Sequence, residues 1–297
     1  MLKSEIYEAI TEKIIAQLES SGSWQQLWST KAPVSLNGHV YRGINRMILS
    51  GDHFSSNVYG TFQQIRANGG QVRKGEKSTL VVFWKRLEKT DPVTLKTEYK
   101  SFLRYFFVFN TEQATFDELG QKKIAKLSVN NDNPLSIPAE QILYGYRDAP
   151  RIIYNAKVEY PGYLPALDII EIPPITSFDS AEAFYNVIFH EAGHSTMHPS
   201  RLNREDAMGN KFGDENYCKE ELVAELCSAY LMNVAGFELQ RNSPAYIRNY
   251  ADHLRGDRRL IFWAASRAEK AAEYILGKPT FSIDDATEDC EAELTHA

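Results

Sequence analysis

The stretch VIFHEAGHST, residues 187–196, places two histidines four positions apart and an acidic residue directly after the first histidine. Positions four apart lie on one face of an α-helix, so His190 and His194 can both direct an imidazole nitrogen at one cation. Glu191 projects from the adjacent side of such a helix, where it can hold a water molecule and accept its proton. The stretch therefore predicts a helix that carries a metal site with a catalytic base.

The neighbours of the two histidines predict that this helix is largely buried. Ile188, Phe189 and Ala192 are apolar, and a histidine pair without a partner is costly to bury among them. Gly193 in the middle of a helix lowers its stability by up to about 1 kcal/mol relative to alanine, so we expect the glycine to admit a close neighbour. A metal site explains this pattern better than the alternative, which is a pair of solvated or otherwise hydrogen-bonded histidines.

The third metal ligand is expected from a second helix. The segment CKEELVAELCSAYLMN (218–233) places Glu221 and Glu225 four apart among apolar positions, and two carboxylates on a largely buried helix need a partner. We predict that Glu221 is the ligand and that Glu225 orients a histidine. An exchange of these two roles, or an ordinary pair on a helix surface, remains an alternative. His198 is predicted to lie at the end of the first helix, where its charge favours the helix dipole.

The cofactor predicted for this site is a divalent metal. Two imidazoles and a carboxylate favour zinc, whereas manganese, cobalt and nickel also bind sites built from nitrogen and oxygen. The sequence does not identify a group that would stabilise an oxyanion, and Tyr250 and His253 are the candidates.

The sequence HEAGH, followed by a helix that carries glutamates, resembles the zincin metallopeptidases, specifically the branch with a glutamate ligand. In that branch an acidic residue that orients a ligand follows the ligand glutamate after four residues, and Glu221 and Glu225 match this spacing. The resemblance implies that the enzyme class is a zinc-dependent metallopeptidase. It also implies an edge strand that runs over the site and pairs with an extended substrate. The candidate for that strand is DIIEI (168–172).

The front half of the chain is basic and rich in aromatic residues. Residues 1–126 contain 18 Lys and Arg against 12 Asp and Glu, whereas residues 127–297 contain 15 against 27. The segments 78–89 and 98–110 predict two antiparallel strands. Cations interleaved with aromatic rings suit single-stranded nucleic acid, because cations follow phosphates and bases stack on rings. A solvated basic face over an aromatic core is the alternative.

The front half also carries a resemblance of its own. The segments YRGIN (41–45), GTFQQIRANGGQVRKGEKSTLVVFWK (60–85) and FFVFNTEQ (106–113), joined to the HEAGH half, resemble the plasmid antirestriction proteins of the ArdC type. The resemblance covers residues 1–277 and implies a single-stranded DNA-binding domain that is similar to one shared with some plasmid primases. Residues in the matching motifs are the candidate DNA contacts: Tyr41, Arg42, Asn45, Arg66, Arg73 and Lys74.

These observations predict an α+β protein of two domains. We expect an N-terminal mixed helix/antiparallel-strand DNA-binding domain over 1–126 and a linker over 127–141. A C-terminal zincin-like metallopeptidase domain is expected over 142–297, ending in an acidic tail. Its predicted helices lie near 180–198, 217–235, 244–255 and 258–276, with Asp179 as the cap of the first.

Composition argues against a membrane protein. No apolar run approaches the roughly 20 residues that span a bilayer, and the charged N-terminus is unlike a signal peptide. Cys218, Cys227 and Cys290 have no zinc-finger spacing and suit a reducing cytoplasm.

The resemblance implies a protein that binds single-stranded DNA and protects incoming plasmid DNA from host restriction during conjugation. The first alternative is a DNA-recruited metalloprotease that must cleave a DNA-bound protein, such as a host restriction enzyme. Direct hydrolysis of a phosphodiester by the metal site is a further alternative.

Overall fold

The computed structural model describes residues 1–28, 31–90, 97–130, 138–204, 215–238 and 242–278. These residues form both α-helices and β-strands, which confirms the predicted α+β class. The chain divides into two compact units. The described residues of the first unit are 1–13, 31–90 and 97–130, and those of the second are 14–28, 138–204, 215–238 and 242–278. None of the described helices is long and apolar enough to cross a membrane.

The first unit contains a four-stranded sheet and a two-stranded ribbon. Its elements are β1 (Val34–Ser35), α2 (Gly43–Ser50), β2 (Val58–Gly60), α3 (Phe62–Ala67), β3 (Gly70–Val72), β4 (Thr79–Thr90), β5 (Thr97–Asn110), β6 (Ala114–Phe116) and α4 (Glu118–Asn130). Helix α1 (Lys3–Ser21) belongs to this unit only up to residue 13. The sheet has the order β1-β2-β5-β4, and the ribbon consists of β3 and β6. Strands β4 and β5 form a long antiparallel hairpin, which confirms the two predicted strands, and β1 pairs with β2 in parallel.

The second unit packs a helical layer against a three-stranded sheet. The elements are α5 (Ala139–Gly145), β7 (Arg151–Tyr154), β8 (Gly162–Leu164), β9 (Ile169–Ile172), α6 (Ala181–Ser195), α7 (Glu215–Val234), α8 (Pro244–Gly256) and α9 (Leu260–Ile275). The sheet has the order β7-β9-β8. Helix α7 packs against both α6 and α9, and the apolar side chains Phe189 of α6 and Leu222 and Leu226 of α7 are buried.

The predicted edge strand is in fact the central strand. β9 pairs in parallel with β7 on one side and antiparallel with β8 on the other, so its backbone groups are taken up within the sheet. The prediction that 168–172 offers an open edge to a substrate is therefore wrong, because the short β8–β9 hairpin places β8 outside β9. The open edges of this sheet belong to β7 and β8.

The ends of the site helix also differ from the prediction. Ser180, and not Asp179, caps α6, because its backbone is extended and its side chain accepts the N–H of Ala183 at 3.1 Å. Helix α6 ends at Ser195, three residues earlier than predicted. His198 consequently lies in the turn beyond the helix, with Nδ1 2.8 Å from the hydroxyl of Ser200.

The predicted domain boundaries differ from the division that the structure shows. Residues 14–28, expected in the first domain, group with the second unit. Helix α4 runs to Asn130 and α5 begins at Ala139, so helices occupy both ends of the predicted linker 127–141. Residues 131–137 lie outside the described residues, as do the acidic tail and Cys290. The roles assigned to the two domains remain predictions.

Candidate metal centre

A glycine allows the two helices of the site to approach closely. A Cβ atom added to Gly193 would lie 3.2 Å from Cα of Ala224 and 3.3 Å from Cβ of Cys227, both on α7. The hydroxyl of Ser228 joins the same helices by donating to the carbonyl of Asn186 at 2.9 Å. The expectation that Gly193 admits a close neighbour is confirmed.

Close approach of the helices brings three potential ligands together. Nε2 of His190 and Nε2 of His194 are 3.1 Å apart; the first lies 3.4 Å from Oε2 of Glu221 and the second 3.4 Å from Oε1. Ligands about 2.0–2.1 Å from a tetrahedral metal stand about 3.3 Å apart, so these separations fit one ion. Within the described ranges, these three residues form the group whose ligand atoms converge closely enough to hold a metal.

The remaining ring nitrogens face two further glutamates of α7. Nδ1 of His190 lies 3.7 Å from Glu225, the contact expected from the sequence, whereas Nδ1 of His194 lies 3.6 Å from Glu220. Sequence reasoning missed Glu220. The available signal was that α7 carries three acidic residues in its buried stretch, and each of them needs a partner.

The carboxylates make the space between the rings favourable for positive charge. Burial opposes protonation of His194, but contacts with Glu220 and Glu221 and the charge of Glu191 raise the pKa of His194 to about 10. Burial also opposes ionisation of Glu221, yet its contacts with His190 and His194 hold the pKa of this carboxyl well below its usual range. A cation between these groups, whether a proton or a metal ion, is stabilised by the same charges.

The side chain of Glu191 extends from the metal-site helix α6 to the edge strand β8. Its side chain is 8% exposed, and its Oε2 accepts the backbone N–H of Tyr163 at 2.7 Å. Glu191 is therefore fixed by the main chain of β8 and does not belong to the converging group of three ligands.

Arg201 fastens the β8–β9 hairpin to the end of α6. Its guanidinium pairs with Asp168 and donates to the hydroxyl of Tyr163 at 3.1 Å and to the carbonyl of Ser195 at 2.7 Å. Hydrogen bonding from Arg201 lowers the pKa of Asp168. Through Tyr163, this arginine indirectly holds the strand that contacts Glu191.

Arg204 fastens the other side of α6 to α7. It binds both carboxylate oxygens of Glu220, with Nε at 3.1 Å from Oε2, and donates to Thr196 Oγ1 at 2.6 Å and to the carbonyl of Gly193 at 3.1 Å. The ion pair is buried. Sequence reasoning missed both arginines, because arginines in a polar loop are usually exposed to solvent and indicate no buried contact.

The two oxyanion candidates lie in different surroundings. Tyr250 and its neighbour Tyr246 pack with ring centroids 4.8 Å apart beside Glu225, and burial raises the pKa of both hydroxyls. His253 is exposed, with Nδ1 2.8 Å from the carbonyl of Asn249 on its own helix. The structure therefore brings Tyr250, and not His253, near the centre.

Two of the candidate DNA contacts in the first unit are committed to its interior. Tyr41 is 2% exposed and packs edge-on against Tyr59. The side-chain amide of Asn45 donates to the carbonyl of Val82 at 2.6 Å and accepts its N–H at 2.9 Å. Tyr41 is therefore not exposed to a ligand at the surface, whereas Asn45 is half-buried and its amide is used to hold Val82.

The four basic candidates lie nearer to solvent. Arg66 and Lys74 are exposed, and Arg42 is half-buried. Arg73 is exposed, but its guanidinium pairs with Glu76 at 3.0 Å and donates to the carbonyl of Glu112. Arg66 and Lys74 are consequently the candidates best placed to meet a phosphate.

Comparison with known families matches each half of the chain separately. Residues 4–113 match the N-terminal domain of anti-restriction factor ArdC, and residues 150–267 match a zincin-like metallopeptidase family. The curated relatives are of two kinds. The chain is 32% identical to DNA primase TraC of Escherichia coli in an alignment of 313 positions, which covers 96% of this chain but 28% of that protein. It is 29% identical to the uncharacterized protein y4eC of Sinorhizobium fredii, with 92% of both chains covered.

Solved structures cover nearly the whole chain. The metal-free crystal structure of the antirestriction protein ArdC from plasmid R388 is 31% identical, with a TM-score of 0.67 over 92% of this chain and 98% of that one. The Mn(II)-bound structure of the same protein is 30% identical, with a TM-score of 0.68 over 91% and 97%. On this likeness of sequence, order and fold, the chain belongs to the ArdC family of antirestriction proteins, as its sequence predicted.

Proposed function

We propose that this protein protects incoming plasmid DNA from host restriction during conjugation, in the cytoplasm. Its first unit binds single-stranded DNA, and its second unit carries a metal-dependent peptidase-like centre. The observation that carries the proposal is the convergence of His190, His194 and Glu221 beside Glu191 in a chain of the ArdC family. The DNA primase TraC, which shares both halves in part of its length, supports a plasmid setting.

The proposed metal ligands are Nε2 of His190, Nε2 of His194 and the carboxylate of Glu221. When bound, a divalent metal there supplies Lewis acidity, which polarises a carbonyl group and makes a nearby water more acidic. Two imidazoles and a carboxylate favour zinc. Manganese is supported by the relative that was crystallised with Mn(II), and cobalt and nickel suit the same donors.

The proposed catalytic residue is Glu191. The backbone N–H of Tyr163 holds its Oε2, and Oε1 makes no hydrogen bond with the described residues, so one oxygen is fixed and the other is available. Because Oε2 is held, Oε1 can take the proton of the attacking water without a change in the position of the carboxylate. Glu225, 3.7 Å from Nδ1 of His190, is proposed to orient that ring.

A peptide is the substrate class that the surroundings of the centre favour. Strand β8 pairs only with β9 within the described sheet, so its other edge, where the N–H of Tyr163 already donates to Glu191, has no strand partner. An extended peptide can add to such an edge by both donating and accepting main-chain hydrogen bonds, whereas a phosphodiester can only accept them. The proposed protein substrate is a host restriction enzyme or another DNA-bound protein.

The proposed DNA-binding surface of the first unit includes Arg66 and Lys74. Phe62 is 49% exposed and lies one turn before Arg66 on α3, so a base could stack on the ring while the guanidinium meets a phosphate. Arg42 and Arg73 extend the basic character of this unit. Tyr41 and Asn45 are proposed to act only by holding the fold beneath that surface.

The test compares how well wild type and Glu191→Ala protect plasmid DNA at equal cellular abundance. It asks whether protection needs the peptidase-like centre or only DNA binding. We expect Glu191→Ala to retain protection, because shielding by the DNA-binding unit is proposed as the indispensable part. Glu182→Ala, in the first turn of the same helix, is the matched control. The alternative is a DNA-recruited metalloprotease whose cleavage is essential, and the fixed position of Glu191 favours it. Loss of protection in Glu191→Ala alone would establish that alternative.

A further inference from the structure

His194 contacts two carboxylates on opposite sides of its ring, and the outer one is itself held by an arginine. Nε2 lies 3.4 Å from Glu221 in the candidate metal site, whereas Nδ1 lies 3.6 Å from Oε1 of Glu220. Glu220 is 3% exposed and receives two hydrogen bonds from Arg204. We propose that Glu220, held by Arg204, is a positioning residue that fixes the tautomer and the orientation of His194 for metal binding.

The chemistry of a neutral imidazole requires an acceptor on the outer side. One ring nitrogen carries a hydrogen and the other a lone pair, so a ring that offers Nε2 to a metal carries its hydrogen on Nδ1. Nδ1 of His194 is buried and has no hydrogen-bond partner within the described residues. A buried N–H without an acceptor is unfavourable, and a small rotation of the His194 ring would bring Nδ1 from 3.6 Å to within hydrogen-bond distance of the Glu220 carboxylate.

Arg204 makes Glu220 a fixed acceptor. The planar guanidinium binds both oxygens of the carboxylate, so the side chain cannot turn away from the ring without breaking two charge-assisted hydrogen bonds. The same guanidinium donates to Thr196 Oγ1 and to the carbonyl of Gly193, which flank His194 in the chain. Arg204 therefore fixes both sides of the contact between Glu220 and His194.

The inference rests on the proposed metal site, and Mn(II) or Zn(II) affinity of the full-length protein, measured by chelator competition, tests it. Glu220→Gln keeps the size of the side chain but removes the charge, and we expect it to weaken metal binding by about 10–100-fold. Ser228→Ala is the matched control, because Ser228 also joins α7 to α6 at 2.9 Å and contacts neither histidine. We expect the affinity of Ser228→Ala to equal that of wild type.

A second measurement reports directly which nitrogen of the His194 ring carries the hydrogen. In the Zn(II)-loaded protein, nitrogen-15 NMR should show His194 with hydrogen on Nδ1, and Glu220→Gln should shift that resonance and speed its exchange with solvent. Arg204→Lys keeps a positive charge but loses the planar fork, so we expect an intermediate loss of affinity and a smaller shift. It also provides a test that does not depend on the folding of Glu220→Gln.

Different results would overturn different claims. Hydrogen on Nε2 of His194 in the Zn(II)-loaded wild type, or equal affinities for Glu220→Gln, Arg204→Lys and Ser228→Ala, would overturn the role of Glu220. His194→Ala separates that failure from failure of the metal site. If His194→Ala loses the metal and Glu220→Gln does not, only the positioning role fails. If His194→Ala binds metal as wild type does, the site and this inference fail together.

Discussion

The backbone N–H of Tyr163 lies 2.7 Å from Oε2 of Glu191, and this hydrogen bond joins edge strand β8 to the metal-site helix α6. It holds the carboxylate beside the two histidines without placing it among the converging ligand atoms. A residue that is held next to a metal site, but outside its ligand group, can be removed without removing the metal.

Glu191→Ala should therefore retain metal, fold and DNA binding but lose hydrolysis. Metal content, circular dichroism and cleavage of a denatured-protein mixture by the metal-loaded protein check these outcomes together. Glu182→Ala, on the same helix but away from the histidines, should match wild type in all of them. Loss of metal from Glu191→Ala would show that this carboxylate is a ligand.

Removal of any one proposed ligand should release the metal. His190→Ala, His194→Ala and Glu221→Ala each leave two ligands, which seldom hold zinc against a chelator. Glu225→Ala should weaken binding by only about 10–100-fold, because its contact is with the outer nitrogen of His190. Metal analysis of the four purified variants is the measurement, and the opposite order of Glu221 and Glu225 would exchange their roles.

Gly193→Ala should destabilise the second unit by about 1–3 kcal/mol. The added methyl meets the α7 backbone at 3.2 Å, and the gain in helix propensity, up to about 1 kcal/mol, offsets only part of this strain. Gly145→Ala is the matched control, because a Cβ at that position meets nothing within 4 Å. Chemical unfolding of both variants measures the difference, and equal stability would mean that the helices separate easily.

The full chain should bind single-stranded DNA more tightly than duplex DNA, with affinity that falls steeply as salt rises. Reversal of charge in the double variant Arg66→Glu, Lys74→Glu should weaken binding. The slope of log affinity against log salt concentration should become shallower by roughly 0.7 for each lost phosphate contact. Lys157→Glu, an exposed position in the second unit, is the control. Equal affinity for both DNA forms would contradict the expected preference.

Asp168→Asn should lower stability near neutral pH but not in acid. Hydrogen bonding from Arg201 lowers the folded pKa of Asp168, so its stabilisation is complete above the unfolded pKa of about 3.9 and is lost as the pH falls through the folded pKa. Asparagine also tolerates the left-handed backbone found at this residue, where φ is 50°. Melting temperatures of wild type and variant should differ at pH 7 and converge toward pH 3. Substitution of the exposed Asp179 in Asp179→Asn should leave the melting temperature unchanged at both pH values.

The metal centre could be predicted because its spacing is local to two helices. His190 and His194 share one helix face, and Glu221 and Glu225 share another, whatever the rest of the chain does. The order of strands was not local in this sense. Nothing within residues 168–172 indicates that β7 pairs on one side of the strand and β8 on the other.

The supports of the site were equally hidden from sequence. Arg201 and Arg204 reach their partners only because the loop after α6 folds back, and Glu220 becomes important only once Arg204 is buried against it. In the first unit, Tyr41 and Asn45 lie in motifs typical of the family, yet the structure uses both for packing and main-chain contacts. A shared motif thus identified the unit without separating surface residues from structural ones.

The spacing of Arg201 and Arg204 constrains how this part of the chain can change in length. One arginine reaches the β8–β9 hairpin and the other reaches α7, and Asn203 between them adopts a left-handed backbone with φ of 48°. Inserting or deleting a single residue there would turn one guanidinium away from its partner, even if every side chain were kept. The turn from Arg201 to Arg204 should therefore tolerate no change of length, and a protein engineer who splices a new segment into this protein should avoid it.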